Sequence, residues 1–122
     1  MTTPIRVVVA NRPRLMRELV LEVIAEQPDI QILAEIQDLS DISRIVDETH
    51  PDFLIISLED SNKRPDICDP LLRRFPEMKI LALAHERNSC MFFWASFNIY
   101  SSPVEASETG ILNTLRGRGQ YA

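Results

Sequence analysis

The sequence predicts an α/β fold: a five-stranded parallel sheet with helices on both faces, doubly wound into a three-layer sandwich. Two observations predict it. Short apolar runs rich in β-branched residues alternate five times with segments of helical periodicity. The connections between them are short, and right-handed crossovers between parallel strands then place helices on both faces of the sheet.

The first strand and helix are predicted from residues 5–29. Ile5–Ala10 is a β-branched apolar run, and Pro13 suits the first turn of a helix that ends before Pro28. Apolar residues recur at helical spacing between them, and charged residues take the other face. The apolar positions are Leu15, Met16, Leu19, Val20, Val23 and Ile24, and the charged ones are Arg14, Arg17, Glu18, Glu22 and Glu26.

The second strand and helix follow, and then the third strand. Ile30–Ala34 is the next apolar run. Asp38 or Ser40 can cap a helix that Pro51 ends. The apolar positions of this helix are Leu39, Ile42, Ile45 and Val46. The most apolar run of the chain, Phe53–Ile56, predicts the third strand.

The remaining elements are shorter. A polar loop follows from Ser57 to Arg64, and Asp69 with Pro70 opens a short helix that runs through Phe75. Lys79–Ala84 predicts the fourth strand and Phe97–Tyr100 the fifth. Pro103 then opens a last helix, which Gly110 weakens by about 1 kcal/mol relative to alanine. The apolar face of that helix is Val104, Ile111, Leu112 and Leu115.

Length and composition bound the function. The chain has 122 residues and a net charge of −5, which fits one domain over 1–122 with 116–122 as a frayed tail. Its small basic clusters argue against direct nucleic-acid binding. No apolar stretch reaches the ~20 residues of a membrane span, and Met1–Ile5 lacks the features of a signal peptide. We therefore expect a cytoplasmic protein without membrane contact.

Cysteines and histidines give no metal pattern. Cys68 and Cys90 are too few and too far apart for a disulfide framework or a zinc site, and His50 and His85 are isolated. Both cysteines are expected to be small buried side chains, and no cofactor is expected.

Several segments, in their order and separation, resemble the response regulator receiver domains (CheY-like), most closely those of the NarL/FixJ type. They are IRVVVANRPRLMREL, PDIQILAEIQDL, HPDFLIISLED, LLRRFPEMKILALAH and SSPVEASE, and the resemblance covers residues 5–116. It implies a flavodoxin-like sheet. It also implies phosphorylation of an aspartate after the third strand, beside Mg²⁺ held by acids after the first strand, with a hydroxyl after the fourth and a lysine after the fifth.

None of the corresponding positions keeps the family's residue. The acidic pair falls at Asn11 and Arg12, the acceptor at Ser57, the hydroxyl at Ala84 and the lysine at Ser102. A guanidinium should repel Mg²⁺, which prefers carboxylate and water oxygens. The resemblance therefore predicts a pseudo-receiver: a non-enzymatic, phosphorylation-independent module for regulatory protein–protein interaction in signal transduction or transcription control.

Alternatives stay open at this site. Arg12 can pair with Glu59 or Asp60 as a built-in cation, or simply point to solvent. Asp60 or Glu59 can act as a displaced phosphoacceptor, whereas Ser57 has no evident base to activate it. A third reading is a small-ligand site in the vacant pocket around Asn11, Ser57 and Ala84.

The segment from Ala84 to Ser102 departs most from the family. It is shorter by about one helical turn, which predicts a shortened or irregular fourth helix. Its aromatic and methionine residues are a candidate protein interface, through which the 88–115 face would bind a partner or form a homodimer. The alternative is that they belong to the core. The candidate residues are Met91, Phe92, Phe93, Trp94, Phe97 and Tyr100.

Overall fold

The apolar runs of this chain align in one sheet, and its amphipathic segments cover that sheet as helices. The computed structural model describes residues 3–60, 62–84, 89–96 and 99–117. The strands are β1 Ile5–Val9, β2 Ile30–Glu35, β3 Phe53–Ser57, β4 Lys79–Leu83, β5 Cys90–Ala95 and β6 Ile99–Val104. The helices are α1 Arg14–Ala25, α2 Ile42–Thr49 (which a 3₁₀ turn, Leu39–Asp41, precedes), α3 Cys68–Arg74 and α4 Glu108–Leu115.

The sheet is six-stranded and mixed, in the order β2-β1-β3-β4-β5-β6. The first four strands are mutually parallel, whereas β5 is antiparallel to both β4 and β6. The predicted five-stranded parallel, flavodoxin-like sheet is therefore wrong. Parallel neighbours need a crossover of a dozen or more residues. Only residues 84–89 separate β4 from β5, and only 96–98 separate β5 from β6, so the chain turns back each time.

The predicted fourth helix is also wrong, because its segment supplies β5. The aromatic run in Cys90–Ala95 suits a strand that packs against both neighbours. Pro103 does not open the last helix but lies within edge strand β6 opposite Met91, a location that proline tolerates. α4 begins only at Glu108, where the Ser107 hydroxyl accepts the Gly110 N–H at 3.0 Å.

Apolar side chains on the two faces of the sheet form two cores. One lies under α1 and α4 and includes Val7, Val9, Ile24, Phe92 and Leu112. The other lies under α2 and α3 and includes Val8, Ile42, Leu54, Leu71 and Ile80. Alternate residues of β1 face opposite cores, as the two-residue period of a strand requires. Among the described residues, no helix combines the length and apolar content that crossing a membrane requires.

The strand order reverses between β1 and β3, since β2 lies on one side of β1 and β3 on the other. In open α/β sheets, the crevice beyond the carboxyl ends of the strands at such a point is where ligands bind. Two main-chain hydrogen bonds connect the strands at their carboxyl ends: Ala10 N–H donates to Ile55 O, and Leu58 N–H donates to Leu83 O, both at 2.8 Å. The residues that follow β1 and β3 are thus held side by side.

Candidate functional site

Arg12 and Ser57 meet at the reversal point between β1 and β3. The Arg12 N–H donates to Ser57 Oγ at 2.6 Å, and the Ser57 hydroxyl donates to the Arg12 carbonyl at 3.3 Å. The serine hydroxyl is thus bonded to the main chain of Arg12 in both directions. A carbonyl is no general base, so this contact does not activate Ser57 as a nucleophile.

The Arg12 side chain reaches across the same crevice to the loop after β3. Its Nη2 donates to Glu59 Oε1 at 3.0 Å, and both side chains are at least half exposed. The interpretation that Arg12 pairs with an acid of this loop is confirmed for Glu59. Between exposed groups such a pair contributes only ~0–1 kcal/mol. Its importance is chemical, because it places a cation where the resemblance would place Mg²⁺.

Asn11 precedes Arg12 just after β1 and is fully buried. Among the described residues, neither its Nδ2 nor its Oδ1 has a hydrogen-bond partner. Burying an amide without a partner costs about 1–3 kcal/mol. Asn11 is also a neutral group, and so a weak replacement for the carboxylate that a metal would need at the end of β1.

The sequence analysis missed Arg17, which it placed on the exposed face of α1. Arg17 is buried; its Nε donates to Glu35 Oε2 at 2.6 Å and its Nη1 to the Asn11 carbonyl at 3.4 Å. Because Arg17 is charged, the sequence analysis assigns it to the solvent-facing side of α1. Arg17 precedes the buried Val20 by three residues and Ile24 by seven, so spacing alone assigns it to the inner stripe. It ties the end of β1 to that of β2.

The structure brings Ala84 to this edge but not Ser102. Ala84 follows β4, next to the end of β3, and its N–H donates to Ser89 O at 2.9 Å. Ser102 pairs with Phe92 inside β6, three strands away from β3. At the usual strand spacing that separation is about 14 Å, so placing Ser102 in the site is wrong. The inserted β5 is what moves it away.

A pocket of about 380 Å³ opens beside Ser57, between the start of α2 and the loop after β3. Its charged lining residues are Glu59, Asp60, Lys63 and Asp66. Asp60 Oδ1 accepts the Asn62 N–H at 2.9 Å, which shapes the loop. Within the described residues, no three side chains among His, Cys, Asp and Glu lie close enough to hold a metal ion.

The candidate aromatic interface is partly core. Phe92 and Phe93 are buried on opposite faces of β5, which corrects their assignment to a contact surface. Met91 and Trp94 are half-buried, Tyr100 is 44% exposed, and Phe97 lies outside the described residues. Stacked rings cross the sheet: Phe92 to Trp94 at 5.2 Å between centroids, and Trp94 to Tyr100 at 5.4 Å. These aromatic side chains therefore pack mainly within the antiparallel pair β5 and β6, which we call the β5–β6 hairpin.

The two cysteines are free and buried, as predicted. Burial raises the pKa of Cys68 to about 12 and that of Cys90 to about 11. A thiol with such a pKa is almost wholly protonated at neutral pH and is a poor nucleophile or metal ligand. Of the isolated histidines, His50 is the C-cap of α2 and lies three residues before β3, near the amino ends of the strands. His85 lies outside the described residues.

The fold and site together define an α/β protein whose switch-point crevice is closed by an arginine–serine–glutamate contact. A scan against protein-family models, a search of curated proteins and a search of solved structures each found nothing that matches the chain. The resemblance to receivers therefore stays a prediction from the sequence segments that carry it.

Proposed function

We propose that this chain is a regulatory protein-interaction module without catalysis of its own, similar in sequence to receiver domains over residues 5–116 and independent of phosphorylation. The observation that carries the proposal is the Arg12 contact: its guanidinium donates to Glu59 at 3.0 Å, while its N–H donates to Ser57. One residue thereby takes the metal's place and engages the acceptor position.

Electrostatics support this reading. A divalent cation at the end of β1 would meet the Arg12 guanidinium, and the residue before Arg12 is Asn11, which offers a neutral amide in place of a carboxylate. Mg²⁺ binds through one or two carboxylates and retains several waters, and repulsion by a fixed cation opposes that binding. The crevice thus stays in one electrostatic state, which suits a module that signals through contacts.

The loop acids are the alternative to this proposal. Glu59 Oε1 accepts from the Arg12 guanidinium, and Asp60 Oδ1 accepts from the Asn62 N–H. Each of these contacts takes one carboxylate oxygen, and beside Glu59 the Arg12 cation would neutralise phosphoryl charge. A displaced phosphoacceptor is therefore the alternative that the experiment has to distinguish.

The test is a ¹⁵N–¹H correlation spectrum recorded with and without Mg²⁺ plus beryllofluoride, a phosphoryl mimic. We expect no saturable shift at Asn11, Ser57 or Ala84. The double variant Arg12→Asp/Ser57→Asp restores one acid of the pair together with the acceptor, and is expected to gain saturable Mg²⁺-dependent shifts there. Saturable shifts of the unmodified chain centred on Glu59 and Asp60 would establish a displaced acceptor and overturn the proposal.

A second spectrum tests the built-in cation. In Arg12→Gln the amides of Ser57 and Glu59 should shift, because the contact across the crevice is lost. Arg44→Gln is the matched control: Arg44 is similarly exposed and pairs with Asp41 and Glu48, away from this crevice. If both variants leave the amides of Ser57 and Glu59 unmoved, Arg12 does not hold the crevice.

A further inference from the structure

The direction of the main-chain hydrogen bonds in β5 follows from a bond at the end of β4. The Ala84 N–H donates to Ser89 O at 2.9 Å, so these two residues form a hydrogen-bonded pair at the turn between the strands. In an antiparallel ladder, hydrogen-bonded pairs alternate with pairs that are not hydrogen-bonded. Along the register of the two strands, Phe93 therefore turns its main-chain groups towards β4, and Trp94 turns its own towards β6.

The same alternation continues into β6, which is an edge of the sheet. Trp94 lies opposite Tyr100, so Tyr100 bonds to β5, and its neighbours Ile99 and Ser101 direct their N–H and C=O groups away from β5. Pro103 falls in this outward set, which agrees with its lack of an N–H. Among the described residues, no further strand pairs with β6. The edge thus presents main-chain donors and acceptors at Ile99 and Ser101.

The side chains of β6 protect this edge at one end only. Exposed edge strands are commonly blocked by charged side chains, by proline or by a bulge, and no residue of Ile99–Val104 is charged. Pro103 blocks its own end, where the Ser102 hydroxyl donates to the Pro103 carbonyl at 3.5 Å. The other end carries Tyr100, which is 44% exposed and stacks on Trp94. The stretch from Ile99 to Ser101 is therefore open to a further strand.

We propose that β6 pairs with β6 of a second copy of this chain, antiparallel, about a two-fold axis at Tyr100. Ile99 of each copy then exchanges main-chain hydrogen bonds with Ser101 of the other. Tyr100 lies directly opposite Tyr100 of the second copy in a non-hydrogen-bonded pair, where side chains are closest. The two six-stranded sheets become one continuous sheet.

The neutrality of β6 favours a second copy as the occupant. A two-fold interface uses the same patch on both subunits, so a charged side chain on the axis would meet its own like charge. β6 has no such charge, and the residue on the axis is aromatic. A cross-strand pair of tyrosines also extends the stack that runs from Phe92 through Trp94 to Tyr100. A strand without an aromatic residue at this position does not extend it.

Pro103 selects the register of the pairing. With the axis at Ser101 instead, Ile99 would lie opposite Pro103 of the second copy. Because Pro103 has no N–H, the Ile99 carbonyl of each copy would then lack a donor. With the axis at Tyr100, both groups of Ile99 and both groups of Ser101 are paired. Hydrogen bonding and aromatic contact thus favour the same register.

The contact is small and lies far from the crevice. One pair of strands covers much less than the ~1,600 Å² of a standard interface, so we expect a dissociation constant on the order of 100 µM. The inference does not rest on the proposed function, since β6 is three strands away from β3. A monomeric chain would leave the prediction for the crevice unchanged, and Mg²⁺-dependent shifts in the crevice would leave this one unchanged.

The test combines sedimentation equilibrium of the full chain with amide hydrogen exchange, each over a concentration series. The unmodified chain should pass from monomer to dimer as its concentration rises. Over the same range the amides of Ile99 and Ser101 should exchange several-fold more slowly, because they become hydrogen-bonded to the second copy.

Two substitutions in β6 should weaken the dimer. Ser101→Pro removes an outward donor and no bond to β5, so the fold is retained, while the dimer should weaken about tenfold or more. Tyr100→Lys sets like charges opposite each other and should weaken it by a similar factor. An equal mixture of Tyr100→Lys and Tyr100→Glu should form dimers again, because opposite charges then meet on the axis.

The matched control is Gln31→Lys, which adds the same charge to an exposed position of β2, the other edge strand. It should dimerise like the unmodified chain, and melting curves show that each variant is folded. A chain that stays monomeric to millimolar concentration would overturn the inference. So would a dimer that Ser101→Pro leaves intact, or one that only Gln31→Lys dissociates, since the contact then lies elsewhere.

Discussion

The parallel strands β1, β3 and β4 and the antiparallel pair β5 and β6 bury their side chains differently. Consecutive residues of β3 and β4 are buried, since helices cover both faces there. In β6 every residue is half-buried or exposed. The central strands β3 and β4 are therefore buried on both faces, whereas the edge strand β6 is stabilised mainly by its pairing with β5. Local opening should begin at β6.

Aromatic contacts replace two-sided burial at that edge. Trp94 stacks on Phe92 from within β5 and on Tyr100 from β6. Each such pair contributes ~0.5–1.5 kcal/mol beyond the area it buries. A strand with little buried surface is thus attached through rings that its neighbour anchors in the core.

The largest effect should come from one substitution made in both regions. Ile55→Ala removes a fully buried side chain from central strand β3 and should lower the free energy of unfolding by about 2–5 kcal/mol. Ile99→Ala removes a half-buried side chain from β6 and should cost about 1 kcal/mol. Urea denaturation of both variants measures the difference. Equal losses would show that edge and centre are equally packed.

Gly110→Ala tests how α4 is joined to the hairpin. An added Cβ would lie 2.0 Å from the Glu105 carbonyl oxygen, a main-chain atom just after β6. The clash should outweigh the helix propensity of alanine and destabilise the protein by about 1–3 kcal/mol. This expectation has the opposite sign to the sequence prediction, which treats Gly110 as an isolated helix position where alanine would stabilise the helix.

The matched control is Thr109→Ala, at the exposed neighbour in the same helical turn. It carries the propensity gain without the clash and should be neutral or slightly stabilising in urea. If Gly110→Ala also stabilises, α4 has room to shift away from Glu105.

Sequence patterns predict the parallel region well for physical reasons. The runs at Ile5 and Phe53 are too short and too rich in β-branched residues for buried helices, and Asp38 caps the turn into α2 as expected. The run at Cys90 is ambiguous, since apolar residues on both faces of a strand show no alternation. Its direction depends on pairing with β4, which no local pattern encodes.

In the candidate site, too, the sequence predicts the location of some residues and not of others. Asn11, Arg12 and Ser57 come together because they end adjacent parallel strands, which the predicted order already implies. Ser102 was misplaced because its location depends on the unpredicted β5. The sequence predicts two possible acidic partners for Arg12, Glu59 and Asp60. The loop conformation in the structure shows that the partner is Glu59.

Thiol labelling compares the two regions within one unmodified molecule. Cys68 belongs to α3, beside the parallel strands, and Cys90 begins β5. Burial raises both pKa values, to about 12 and about 11. Cys68 is fully buried whereas Cys90 is 5% exposed. Cys90 should therefore react faster than Cys68 with a thiol reagent at pH 8, and both rates should rise with pH as the thiolate fraction grows. Mass spectrometry of the digested protein assigns each rate.

Opening of the edge should widen that ratio, because a thiol exposed by local unfolding regains its ordinary pKa and its access to reagent. Low urea should therefore speed Cys90 before Cys68, at concentrations where the circular dichroism of the helices is unchanged. If Cys68 reacts first, α3 opens before the β5–β6 pair, and the aromatic stack stabilises the sheet edge more than the packing of α3 on the sheet stabilises that helix.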